Sequence, residues 1–293
     1  MTHVLICYTI SCCLYIRLFA IRGRVHLIMA RIALGLLLLG AVAVLGAELP
    51  SGKVLYHNPN SPPGANNLGM YKGKGTTVKK HPYIVAVTYY DSFNCAGNII
   101  GTSWVFLSGD CTYGYDPSSV NVIAGTNDGS SGKKYDVKQL LAHPNYPDAF
   151  LDYDYGLIQV SGKFKWSSTI KPVSLPKQAP KAGSKVIITG WGATGSNTQL
   201  QQGTMKVISN KQCAKIYADF GITFTDRMGC VYNKGKTTPC DGDWSDPITK
   251  GKTLYHVFTA IATSGECSSE AYPAICASVY PALSWIKNVT GIE

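Results

Sequence analysis

Arginine is nearly missing from this chain. Of its 27 basic residues, four arginines fall within the first 47 positions, and beyond them only Arg227 is arginine while the other 22 are lysine. Bidentate recognition of phosphate and of guanine edges is mostly arginine work, whereas lysine is a flexible point charge. Specific nucleic-acid readout is therefore set aside as a function. Acidic residues are absent from residues 1–47 altogether, so removing that stretch takes the formal net charge from +10 to +6. A surplus of that size supports weak, loose attraction to acidic glycans or membrane surfaces, or else simply a solvated lysine surface. Histidine is scarce as well: beyond residue 47 only His57, His81, His143 and His256 remain. No uninterrupted apolar run reaches the roughly 20 residues that a membrane span needs.

The two apolar runs that do occur, Val4 to Ile21 and Ile32 to Gly46, read as targeting sequence, and residues 1–47 as a leader. The first is broken by Arg17. The second has a short basic start at Met29-Ala30-Arg31, an apolar stretch from Ile32 to Ala43 and small residues at Val44-Leu45-Gly46-Ala47. Residues 29–47 thus read as a signal peptide with Met29 as the natural start, which places the mature protein outside the cell with no transmembrane segment. Residues 48–69 hold Pro50, Pro59, Pro62 and Pro63 without helical or alternating pattern, and read as an extended arm.

From there to the C-terminus short β runs alternate with turn residues: Tyr83 to Tyr90, Ile99 to Leu107, Val120 to Ala124, Tyr155 to Val160, Val186 to Thr189 and Val257 to Thr263. The fold class is all-β. One exception closes the chain, where Ala282, Trp285, Ile286 and Val289 recur at helical spacing after Pro281.

Motifs spaced along this region carry a resemblance. The loop Cys240-Asp241-Gly242-Asp243-Trp244-Ser245-Asp246-Pro247 is similar to the Cys-x-Gly-Asp-Ser-Gly-Gly-Pro nucleophile loop of the chymotrypsin- and trypsin-like serine proteases. Ser108-Gly109-Asp110-Cys111 stands where that family writes Ala-Ala-His-Cys, Tyr153-Asp154-Tyr155-Gly156-Leu157-Ile158 resembles its Asn-Asp-Ile-x-Leu-Ile, and Gly190-Trp191-Gly192 matches a core turn. The likeness runs from about Pro82 to Ile292 and extends to inactive members found among arthropods. The resemblance implies two antiparallel six-stranded β-barrels followed by a C-terminal α-helix, a domain spanning residues 70–293, and three bridges, Cys95–Cys111, Cys213–Cys230 and Cys240–Cys267. Cys276 is left over, either as a small buried hydrophobe or as a reactive thiol. The arm at 48–69 contains no cysteine, so it is not the disulfide-knotted clip domain of many arthropod relatives.

What the resemblance implies for chemistry is mostly loss. Trp244 takes the nucleophile's position, Asp110 the base's and Asp154 that of the orienting carboxylate. An indole cannot attack a carbonyl, and a carboxylate is roughly two pKa units less basic than imidazole. Gly242 keeps its oxyanion-hole place and Asp243 the place that receives a new N-terminal amine in active relatives. The equivalent start here is Met70-Tyr71-Lys72-Gly73 behind Gly69, which offers no tryptic cut. Thr238 stands at the base of the specificity pocket, Ser264 and Ala274 replace pocket glycines, and Ala262 and Thr263 replace the pair along which substrate backbone lies. The reading is a secreted protease homologue without peptidase activity and without cofactor or metal, acting on a protein partner as decoy or cofactor. The alternatives are a weak peptidase using Ser245, a hydrolase or Ca²⁺ site built on Asp110, Asp154 and Asp243, and a polyanion binder. Asp110 and Asp154, brought together without an imidazole between them, are expected to repel and raise one carboxyl pKa. Asn288-Val289-Thr290 is the only glycosylation sequon.

Overall fold

A computed structural model of the chain describes residues 53–56, 70–146, 151–192, 199–263 and 272–293. The chain divides into Met1–Leu49, which lies outside the described residues together with the expected leader and signal peptide, and Pro50–Glu293. Within the expected arm the described residues Lys53–Tyr56 form a strand, β1, that the lack of local pattern did not signal.

Two closed six-stranded antiparallel barrels follow. The first joins β3 (Ile84–Tyr89), β4 (Ser92–Ile99), β5 (Trp104–Leu107), β8 (Gly156–Val160), β7 (Lys133–Ala142) and β6 (Val120–Ala124). Successive side chains on a strand face opposite ways, and here both faces are buried. Val85, Val87, Ile99, Val105, Leu107, Val122 and Ile158 fill the barrel-side cluster, while Ile84, Ala86, Phe106, Ile123 and Leu157 join a second cluster with the terminal helix. The run Ile99 to Leu107 is not one strand. Ile99 ends β4, the chain bends through Gly101–Ser103, and β5 starts at Trp104.

The second barrel closes through β9 (Lys185–Gly190), β10 (Gln201–Ile208), β11 (Met228–Tyr232), β14 (Ala274–Ser278), β13 (Thr253–Thr263) and β12 (Pro247–Lys250). β1 adds to β13, and the two-residue β2 (Lys74–Gly75) adds to β10. Between β10 and β11 lies a short helix, α1 (Asn210–Ile216), opened by a capping box in which Ser209 accepts from Gln212 N–H. Such Ser-x-x-Gln spacing satisfies otherwise orphaned N-terminal donors. The terminal helix, α2, spans Val279–Thr290 and buries Val279, Ala282 and Ile286. Cys95–Cys111 and Cys213–Cys230 are both bonded. Cys240 is disulfide-bonded too, and its expected partner Cys267 lies outside the described residues.

Candidate functional site

β5 runs into a single 3₁₀ turn, Gly109–Cys111, which the Cys95–Cys111 bridge ties back to β4. This turn buries Asp110. Its carboxylate accepts from the hydroxyl of Ser108, and its own backbone N–H donates to Asp154 Oδ1 at 3.0 Å. Burial pushes the Asp110 carboxyl up to about 7, against the Ser108 hydroxyl and the N–H groups of Cys111 and Asp110, which favour the charged form. The expected repulsion from Asp154 is therefore not the main cause. Asp154 grips the backbone of Asp110, and loss of solvent does most of the shifting.

A raised carboxyl pKa means stability that is complete below the unfolded value of 3.8 and is lost as pH rises through about 7. Asp110→Asn should therefore stabilise the fold by about 1 to 3 kcal/mol at neutral pH and by little in acid. Urea titrations at the two pH values measure this, and an equal effect at both would remove Asp110 from the protonated groups.

Arg227 has an internal use. Its guanidinium forks Asp152 through Nε at 2.9 Å and Nη2 at 2.6 Å, and it lies 4.1 Å from the centre of the Tyr153 ring, pinning the turn that presents Asp154. Tyr146 closes over the same region: burial, together with the nearby charges of Asp154 and Asp110, pushes its phenol up.

The loop on the second barrel faces this turn. Trp244 is 6% exposed, stacks on Phe258 with ring centres 5.3 Å apart and planes 4° apart, and donates its indole N–H to Asp241 Oδ1 at 3.2 Å. Its carbonyl accepts from Ala96 N–H of the first barrel at 2.9 Å. Ser245 has no exposed surface at all, and its hydroxyl oxygen accepts from Ser108 N–H at 2.9 Å. Both residues thus stitch the loop to the opposite barrel. Ser245 stands where the family has glycine and keeps φ at +64°, a left-handed conformation that disfavours side chains. Gly242 has φ +86°, where the absence of Cβ is needed.

Asp243 is fully buried and accepts from Cys240 N–H at 2.9 Å, and its second carboxyl neighbour is Asp246. Burial raises Asp243 to about 7, while Asp246 is pushed well above the usual carboxylate range by burial and then by Asp243. Two buried acids in contact cannot both ionise, so the pair holds a proton at neutral pH. Asp246 also lies over Gly190: a Cβ built on that glycine would come 1.7 Å from Asp246 Oδ2. The sequence reading missed this pair, and its only signal was two acids three positions apart in one loop.

Thr238 pairs through its backbone with Tyr71, N–H to O in both directions at 2.9 and 3.2 Å, and Met70 is buried in the same cluster as Trp244. Ala262 and Ala274 are buried walls, with Ala262 N–H donating to Tyr217 Oη at 3.1 Å. Thr263 ends β13, and Ser264 lies outside the described residues. Cys276 is a free, buried thiol whose pKa burial pushes up, which leaves it unreactive. Asn288 is exposed on α2.

The three described histidines are engaged elsewhere. His81 contacts Tyr83, Thr76 and Gln202; His143 stacks on Tyr153; and His256 bonds Ser278 with its pKa driven down to about 4 by burial. His57 lies outside the described residues. Among the described residues no group of three or more His, Cys, Asp or Glu side chains is placed to hold a metal, and no helix is long and apolar enough to cross a membrane.

The family model described as trypsin matches residues 70–286. Trypsin 5G1 of Aedes aegypti is 29% identical over 223 residues, covering 73% of this chain and 82% of that protein. Trypsin Blo t 3 of Blomia tropicalis is 30% identical over 218 residues, with 71% and 80% covered. Trypsin-1 of Astacus astacus is 30% identical over 207 residues, with 66% and 86% covered.

Proposed function

The chain belongs to the trypsin family, and from that premise we propose that it is a secreted member without peptidase activity that acts by binding another protein. One observation carries the reading: the position of the nucleophile holds an indole packed in the core, and the serine beside it is sealed in. A serine attacks only when hydroxyl, base and oxyanion donors converge on an accessible carbonyl carbon. The Ser245 hydroxyl instead accepts a backbone N–H from the first barrel and has no exposed surface. Asp110, in the position of the base, folds as a buried acid held by Ser108, with Asp154 bound to its backbone. Asp243, in the position that would receive a terminal amine, faces a second acid.

Secretion is supported by the basic, apolar and small-residue pattern of residues 29–47 and by bonded cysteines, which persist in oxidising compartments. The exposed Asn288 of the sequon suits a glycoprotein. Binding to acidic glycans through the lysine-rich surface is the lesser form of the same proposal.

An active-site serine probe tests the reading. The secreted protein incubated with a fluorophosphonate should stay unlabelled under conditions that label an active trypsin stoichiometrically. Stoichiometric labelling that disappears in Ser245→Ala would restore the peptidase.

A further inference from the structure

Basic charge is unevenly placed along this chain. From Tyr155 to Ala218 it carries nine lysines and no acidic residue, and from Arg227 to Cys240 two more lysines with none. Folding gathers part of that excess on the outer face of the second barrel. Thr204 and Lys206 of β10 are exposed while Gly203, Met205 and Val207 are buried, so the alternation of a strand turns Gln202, Thr204 and Lys206 outward. Lys185 of β9 stands directly opposite Lys206, and Lys74 of β2 directly opposite Gln202.

Two lysines directly opposite in an antiparallel pair have Cβ atoms about 5 Å apart, and like charges so placed repel. A carboxylate beside them would offset the repulsion. None of the segments that build the face, residues 70–80, 181–190, 199–208 and 228–240, contains an aspartate or a glutamate. Among the described residues none of its lysines is in an ion pair. More basic charge fringes the edge of β10 between β2 and β11: Asn233 donates to the Thr204 carbonyl at 2.6 Å, which brings in the exposed Lys234 and Lys236, and Lys72 Nζ donates to the Gly235 carbonyl at 3.1 Å.

We propose that this face, centred on Lys74, Lys185 and Lys206, is a binding site for a sulfated glycan chain. The proposal rests on the reading of the chain as a binding module and gives its glycan-binding form a place and a ligand class. From Lys74, opposite Gln202, to Lys206 is four strand positions, about 13 Å, so a chain with repeated anionic groups can engage all three lysines and a lone sulfate cannot. The exposed large hydrophobic residues, Tyr90, Tyr113, Trp166, Ile216 and Tyr280, lie in other segments. The face thus offers no exposed ring for an unpaired base to stack on and no exposed apolar anchor of the kind that seats a membrane or a protein partner.

The test uses the full-length secreted chain and a fluorescein-labelled heparin octasaccharide, read by fluorescence anisotropy at about 0.15 M NaCl, where charges more than roughly 8 Å apart are largely screened. The unsubstituted chain should bind. The triple variant Lys74→Gln, Lys185→Gln, Lys206→Gln should lose about tenfold or more in affinity and show a shallower dependence of log K on log salt. Lys163→Gln, Lys165→Gln and Lys171→Gln together remove the same net charge from the side of the first barrel, where Phe164 N–H donates to the Thr102 carbonyl and Lys165 N–H to Tyr135 Oη. That variant should bind as the unsubstituted chain does. Lys185→Gln alone, which relieves a like-charge pair, should lose part of the affinity without lowering the thermal midpoint. Equal losses in the two triple variants would overturn the face and leave only loose attraction to net charge. No binding by the unsubstituted chain would overturn the site and the glycan-binding form together, while the protein-binding form stands or falls by the serine probe. A DNA duplex of matched charge that binds as tightly through the same three lysines would overturn the glycan as the occupant.

Discussion

Asp246→Gly should stabilise the folded chain more at about pH 7 than at about pH 4. The sign follows from the proton held in the loop. An aspartate ordinarily titrates at 3.8, and burial beside Asp243 lifts Asp246 well above that. Stability is therefore complete below 3.8 and is lost as pH rises toward the folded value, at about 1.4 kcal/mol per pH unit for one proton taken up on folding. Without Asp246 its own uptake disappears, while Asp243, which burial raises to about 7 against its N–H donors from Cys240 and Gly192, keeps its own. Added backbone freedom of glycine in the unfolded state takes back roughly 0.5 to 1 kcal/mol at every pH. Guanidinium unfolding of the parent, Asp246→Gly and the near-isosteric Asp246→Asn across this range gives the comparison. Parallel stability curves for parent and variant would mean that Asp246 takes up no proton of its own on folding.

Trp244→Ser should cost about 3 kcal/mol, because the indole stacked on Phe258 leaves a hole that the closed barrel fills only in part. Adding Asp110→His rebuilds the triad in side chains alone, since Asp154 and Gly242 are in place. Turnover of peptide esters is nevertheless expected to stay below detection. Catalysis depends on oxyanion donors preorganised for the transition state, and losing one typically costs about 10²- to 10³-fold. In this loop Asp243 is engaged with Asp246 and Cys240 instead of a terminal amine, Met70 is an internal residue, and Ser245 is tied to Ser108. Robust hydrolysis by the double variant would show that the loop is already active-shaped.

Much of the barrel architecture was legible because cysteine spacing and the short motifs are rigid markers. Cys95–Cys111 and Cys213–Cys230 form as the resemblance implied, and Ala282 and Ile286 are buried on a helix as their spacing required. Strands with mixed faces were harder to read. β7 carries Lys133, Lys134, Asp136 and Lys138 among its apolar residues, and β10 opens with two glutamines, so neither forms the apolar run that marked β3 or β6. α1 was signalled only by Ser209 and Gln212. The placement of β1 had no local signal, since strand addition is made by backbone groups that every sequence carries. The Asp243–Asp246 pair leaves no mark in the sequence for a related reason: aligned with the family's nucleophile loop, Asp246 is one more residue in place of glycine, and only its packing over Gly190 shows where its side chain goes.

That packing couples position 246 to position 190 more tightly in one direction than in the other. While Asp246 is present, any side chain at position 190 would put its first carbon 1.7 Å from a carboxyl oxygen. Position 246 can shrink back to glycine with no help from its neighbour, whereas position 190 can gain even a methyl group only after that retreat. The two sites are therefore coupled: a side chain at position 190 requires the Asp246 carboxyl to move aside or to be shortened first, whereas shortening position 246 requires nothing of position 190.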